Sequence, residues 1–217
     1  MGLDFVAIDF ETANASRASA CAVGLAVVEG GVVTSQEGWL IRPPGGAGRF
    51  DRRNIAIHGI TAADCTAHGL SWAETERRLA AVTAGRVAVA HNASFDRSVW
   101  AAANAESGIT TATARFCCTL DLSRRAFPRL HRPLPDYKLH TVAAALSLPP
   151  FRHHDAEDDA VTAAMIVLEL ARRARCDGLA QLWPAGPTPP AAPRGTAPTA
   201  LGPVRTLRTT AEVARRH

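Results

Sequence analysis

The sequence predicts an α/β protein built on one mixed sheet with helices on both faces. Three observations carry that expectation. Segments of strand length recur at residues 5–9, 21–29, about 32–42, 87–91 and 115–121, the first and fourth of them almost wholly apolar. Gly30-Gly31 joins the second run to the third, as an antiparallel hairpin requires. Beyond that hairpin, helical and strand-like segments alternate, which lays helices against a partly parallel sheet.

The elements follow in order. FVAID (5–9) is a continuous apolar run ending in an acid, the pattern of a buried strand. CAVGLAVVE (21–29) is the second strand and Val32–Arg42 the third; PPGGAGR (43–49) then reads as a loop. SWAETERRLAAVTA (71–84) is a helix, with Ser71 as N-cap, Glu74 completing a capping box, and Gly85 ending it. VAVAH (87–91) is another buried strand, and the helix over 94–106 can be capped by Ser94 or Asn92. RFCCTLD (115–121) is the fifth strand, Leu139–Leu148 a short helix closed by Pro149-Pro150, and about 155–176 a long helix.

The 217 residues suffice for one domain with a sizeable core. No apolar run is long enough to span a membrane, and MGLDFVAIDFET lacks the basic start of a signal peptide. The five cysteines form no CxxC pair and are odd in number, so reduced thiols in a cytoplasmic protein are expected rather than a zinc site or disulfides. Residues 184–217 hold five Arg and one Glu and so account for the whole net charge of +4. That Pro/Ala-rich stretch is expected to be a disordered tail behind a domain over 1–183.

Chemistry concentrates in a few acids. Asp9 and Glu11 alternate at the end of the first strand, so both carboxylates share a face. Asp96 opens the helix after VAVAH, and Asp159 lies on the first turn of the long helix, with His154 just before it. Carboxylates crowd into one small site only when a cation offsets their repulsion. An all-oxygen set suits Mg²⁺ or Mn²⁺, and such sites commonly act on phosphodiesters with two metals. A histidine nearby can accept a proton near neutral pH.

IDFET (8–12), HNASFD (91–96) and HDAEDD (154–159) together resemble the three motifs of the DnaQ-like, or DEDDh, 3′–5′ exonucleases, the family of the proofreading epsilon subunit of bacterial DNA polymerase III. The resemblance spans about residues 4–175 and implies an RNase H-like fold and two divalent cations, Mg²⁺ or Mn²⁺. By that resemblance Asp9, Glu11, Asp96 and Asp159 are metal ligands and His154 is the general base. Thr12, Asn92 and Phe95 would lie near the substrate strand. IHGIT (57–61) is similar to the family's substrate-facing loop, where His58 and Ile60 would approach the terminal nucleotide. A sister branch uses a tyrosine four residues before the last acid, but the single tyrosine here, Tyr137, stands elsewhere.

The activity so implied is removal of nucleoside 5′-monophosphates from single-stranded or frayed 3′ ends, DNA favoured. RNA trimming and non-catalytic nucleic-acid binding are the alternatives. Partners implied are nucleic acid and a DNA polymerase or sliding clamp; QLWP (181–184) resembles short clamp-binding peptides. The oligomeric state is open. Within HHDAEDD, Asp155 is expected to N-cap the long helix, Ala156 to pack on the sheet, and His153 to stay at the rim. The basic stretch 124–154 could form a wall that grips phosphates, or a solvated loop.

Overall fold

The structure, a computed structural model, describes residues 3–45, 48–110, 114–127 and 134–184. The tail expected beyond residue 184 lies outside these residues. Five strands form one sheet: β1 (Phe5–Thr12), β2 (Ala20–Glu29), β3 (Val32–Leu40), β4 (Val87–Ala90) and β5 (Phe116–Cys118). Their order across the sheet is β3-β2-β1-β4-β5. β1 pairs antiparallel with β2 and parallel with β4; β2 pairs antiparallel with β3, and β4 parallel with β5. Three antiparallel strands followed by parallel ones are what the sequence predicts.

β1 is the central strand, and its side chains divide by parity. Val6, Ile8 and Phe10 pack against α3 (Trp72–Thr83) and α4 (Ser94–Glu106) through Trp72, Leu79, Val99 and Trp100. Phe5 and Ala7 point to the other face, into a core with Ile166, Val167 and Leu170 of α7 (Ala156–Ala174). Asp9 and Glu11 continue that second series. They therefore leave the sheet on the α7 side, where the apolar core ends.

Four further helices, α1 (Arg52–His58), α2 (Ala62–His68), α5 (Thr119–Ala126) and α6 (Leu139–Ala145), and a closing turn, α8 (Leu179–Leu182), complete the described elements. Several depart from expectation. The strand foreseen over 115–121 pairs only at Phe116–Cys118 and then turns into α5. Thr119 is fully buried, and Leu122 and Phe127 go into the core beside Tyr137 and Leu139, which rewards the helix over a longer strand. The capping box at Ser71 is half formed. Ser71 accepts the Glu74 amide, while the Glu74 carboxylate is taken by Arg77 and Arg78. Helix α4 is capped by neither Ser94 nor Asn92: its N-cap is Ala93. QLWP is not a free peptide, because Leu182 and Trp183 are buried and the Trp183 indole donates to the Cys118 carbonyl. No described helix is long and apolar enough to cross a membrane.

Candidate active site

A cleft of about 620 Å³ opens where β1 and β4 end and α7 begins. Asp9, Glu11, Asp159, His153 and His154 line it, as do Asn92 and Phe95. The chain reaches this arrangement by local devices. Asp155 caps α7 by accepting the Asp158 amide at 3.3 Å, as expected, which starts the helix so that Asp159 faces inward on its first turn. Asp155 and Asp158 are then drawn to Arg152, at 3.2 and 2.9 Å. That removes Asp158 from the cleft and leaves Asp159 as the acid of this turn.

Glycine lets α7 come close. Gly24 on β2 stands opposite Asp9 in the strand register, and a Cβ there would lie 2.0 Å from the Ala156 carbonyl oxygen. Gly38 pairs with Gly24 and lies under Glu157, whose Cβ would stand 3.1 Å from any Cβ added there. The N-terminus of α7 is thus seated on a flat, side-chain-free patch beside the two acids of β1. Ala156, buried against this patch, is the packing residue that HDAEDD suggests.

The carboxylates converge. Ligand atoms of Asp9, Glu11 and Asp159 lie within 4.8 Å of one another, close enough to hold a metal ion together. Asp96 sits beneath, almost fully buried, with Oδ1 accepting the Phe10 amide at 3.1 Å. Its Oδ2 is buried without a hydrogen-bond partner. A buried orphan carboxylate oxygen beside three crowded carboxylates fits a divalent cation, which would supply the missing contacts.

Electrostatics agree. Burial, and then Asp96, Glu11 and Asp159 in that order, hold the Asp9 carboxyl well above its usual range. Burial and the neighbouring acids push Glu11 up to about 8. Burial also raises Asp96 to about 7, against hydrogen bonds that lower it, and raises Asp159 to about 6.

His154 has a left-handed backbone, with φ of 66°, a conformation a β-carbon disfavours. The turn lets its amide donate to Asp159 Oδ2 at 3.1 Å while Nδ1 stands 3.9 Å from Glu11 Oε1. Burial depresses its pKa, so the imidazole is neutral near pH 7. His153, placed at the rim by the sequence, is exposed and lines the cleft. Its ring stacks on His154 at 3.9 Å, and its Nδ1 lies 3.4 Å from Asp159 Oδ1.

The substrate-facing residues divide. Asn92 and Phe95 line the cleft. Thr12, His58 and Ile60 do not: all three are buried. His58 Nε2 lies 3.2 Å from the Thr12 carbonyl and Nδ1 accepts the Ile60 amide, so His58 ties α1 to the end of β1. Ile60 packs in a small core with Cys21, Cys65 and Ala156. The residue of IHGIT that does face the cleft is Ile57, 45% exposed. Helix α1, unforeseen in the sequence, rotates the loop by this amount; Arg52–His58 is only seven residues with no side-chain cap. Leu120, Arg124 and Lys138 also reach the cleft. Arg124 and Lys138 belong to the basic stretch suspected of gripping phosphates; Arg129 and Arg132 lie outside the described residues. Tyr137 is buried with its hydroxyl donating to the Phe127 carbonyl, which keeps it from serving as a base.

A mixed sheet with helices on both faces, ending in buried acids beside a histidine, defines an RNase H-like nuclease. Residues 6–167 match the RNase_T exonuclease family, and the chain belongs to it. Over 181 residues it is 28% identical to the PolC-type DNA polymerase III of Thermotoga maritima, covering 82% of this chain and 12% of the polymerase. Among solved structures it resembles exonuclease X in complex with 5′-overhanging duplex DNA, at TM-score 0.59 and 24% identity over 79% of this chain and 93% of that one. It also resembles zinc-bound E. coli exonuclease I with single-stranded DNA, at TM-score 0.66 and 16% identity over 80% of this chain and 41% of that one. The chain therefore spans a small part of the polymerase and under half of exonuclease I.

Proposed function

We propose that this protein is a metal-dependent 3′–5′ exonuclease that releases nucleoside 5′-monophosphates from single-stranded or frayed 3′ ends. The observation that carries the reading is the meeting of Asp9, Glu11 and Asp159 within 4.8 Å, over buried Asp96 and beside His154. The 3′–5′ direction comes from the DEDDh motifs. DNA is favoured because exonuclease X and exonuclease I, which share the fold, were captured on DNA. The likeness to a PolC-type polymerase suits work at a primer end beside a polymerase.

Asp9, Glu11, Asp96 and Asp159 would hold two divalent ions, Mg²⁺ or Mn²⁺. Bound there, the ions supply Lewis-acid charge that offsets the carboxylates and the phosphate. His154, neutral and facing the cleft, takes a proton from the attacking water as the new P–O bond forms. The P–O3′ bond breaks, and the leaving O3′ gains a proton from solvent. Asp159 accepts the His154 amide and so holds that residue in its strained turn. A single-stranded end is preferred because the terminal nucleotide must leave its stack to enter the cleft.

The test is a labelled single-stranded DNA oligomer and its RNA counterpart, each with Mg²⁺ and with Mn²⁺. Wild type is expected to shorten the DNA from the 3′ end, and Asp9→Asn to lose both turnover and metal binding. An untouched oligomer would favour a non-catalytic binding role, and faster loss of the RNA an RNA-trimming one.

A further inference from the structure

The loop between β1 and β2 carries a cation, Arg17, beside the carboxylate site. The loop is strongly cross-braced. Ala13 donates its amide to the Ser19 carbonyl at 2.8 Å, and Ser16 donates its amide to Asn14 Oδ1 at 2.8 Å. Ser19 Oγ donates to the Ser16 carbonyl at 2.7 Å, and Asn14 Nδ2 to the Arg49 carbonyl at 2.5 Å. From this frame Arg17 projects into solvent, its guanidinium carbon 4.2 Å from the centre of the Phe95 ring. Phe95 lines the cleft and is followed by buried Asp96, whose charge Arg17 favours.

Among the described residues, Arg17 forms no ion pair. The two cations that line the cleft are engaged, Arg124 with Asp121 and Lys138 with Asp136. A guanidinium over an aromatic ring is positioned by the ring face, and its edge N–H groups stay available. That edge is the part that binds phosphate oxygens, two at a time. A strand entering by its 3′ end brings a second phosphate one nucleotide behind the scissile one, and Phe95 with its guanidinium is part of the cleft it enters.

We propose that Arg17, held over Phe95 at the lip of the cleft, grips the phosphate one step upstream of the scissile one. This rests on the exonuclease reading above and deepens it. The enzyme then favours a substrate whose leaving nucleoside carries a 5′ phosphate. The smallest pair that isolates this contact is TpT and pTpT. Both hold the same scissile bond. Hydrolysis gives thymidine 5′-monophosphate and thymidine from the first, and two molecules of the monophosphate from the second. Only pTpT presents the upstream phosphate.

The experiment compares kcat/KM on the two dinucleotides for wild type, Arg17→Ala and Arg17→Lys with Mn²⁺ present. Loss of a charge-assisted phosphate contact is worth about tenfold. Wild type is therefore expected to prefer pTpT by about tenfold, mostly through KM, Arg17→Ala to lose that preference, and Arg17→Lys to keep part of it. An unchanged preference in Arg17→Ala, or an equal fall on both substrates, overturns the assignment. If wild type cleaves neither dinucleotide nor a longer oligomer, the exonuclease reading itself fails, which is a different outcome from a wild type that cleaves both without preference.

Discussion

His153 and His154 are adjacent, stacked and differently neighboured. His154 Nδ1 looks toward Glu11, and its backbone toward Asp159. His153 is bracketed by Asp159 Oδ1 and by His140 Nδ1, each 3.4 Å away. A general base belongs beside the acids without being tied into a second histidine. His154→Ala is therefore expected to lower kcat by about 10²- to 10⁴-fold with metal affinity near normal, by calorimetry with Mn²⁺. His153→Ala should cost less, through a looser His154 ring. The reverse ranking would move the base to His153. The motif HDAEDD made His154 and Asp159 legible from sequence. It could not show that His153 stacks on His154, because that contact accompanies a left-handed turn at His154 that no residue type announces.

At the scale of elements, the site depends on how closely α7 lies on β2. Gly24 permits the contact, and its Cβ position overlaps the Ala156 carbonyl at 2.0 Å. A backbone carbonyl cannot swing aside as a flexible side chain can. Gly24→Ala must push the start of α7 off the sheet, at about 1–3 kcal/mol by the usual cost of overpacking. Because Asp159 and His154 ride on that start, activity should fall further than stability does. Thermal melts and oligomer assays on the same preparation measure both. Gly30→Ala, whose Cβ would meet nothing within 4 Å but whose φ is +60°, serves as a comparison in which stability alone suffers. In the sequence Gly24 looked like one more residue of an apolar strand. Its meaning appears only when β2 is set beside β1 and under α7.

For the whole molecule, four carboxylates held at the end of the central strand make stability depend on pH and on cations. Glu11 goes from the ordinary 4.5 to about 8, Asp96 from 3.8 to about 7 and Asp159 from 3.8 to about 6, with Asp9 raised as well. A raised folded-state value means that the folded protein binds the proton more tightly than the unfolded chain. That contribution is full below the ordinary carboxylate values and is lost as pH rises through the raised ones. Desolvation lowers His58, His91, His153 and His154, which act in the opposite sense, but only below their ordinary value of 6.5. From about pH 7 to about pH 8.5 the raised carboxylates set the direction, and the burial-raised thiols of Cys21, Cys65 and Cys117 act in the same sense near its upper end, so metal-free protein should lose melting temperature over that interval. Added Mg²⁺ should restore it, and more so at the upper end, because the ionised acids bind the ion. A flat profile in EDTA, or no response to Mg²⁺, would count against the carboxylates as cation ligands.

The sequence by itself determined the mixed sheet, the order of its main strands and helices, and which acids could meet at one end of the first strand. These are carried by local pattern: apolar runs set strands, Asp155 sets the start of α7, and period two puts Asp9 and Glu11 on one face. Only the tertiary structure decided which neighbours complete the site. It turned Thr12, His58 and Ile60 inward and Ile57 outward, and set Arg17 over Phe95. It also cut β5 short in favour of α5 and left Asp96 Oδ2 unpartnered at the floor of the cleft. The physical reason is the same in each case. The rotation of a short helix such as α1, whose N-terminus no side chain caps, and the closeness of a helix to a sheet, are set by packing between segments far apart in the chain.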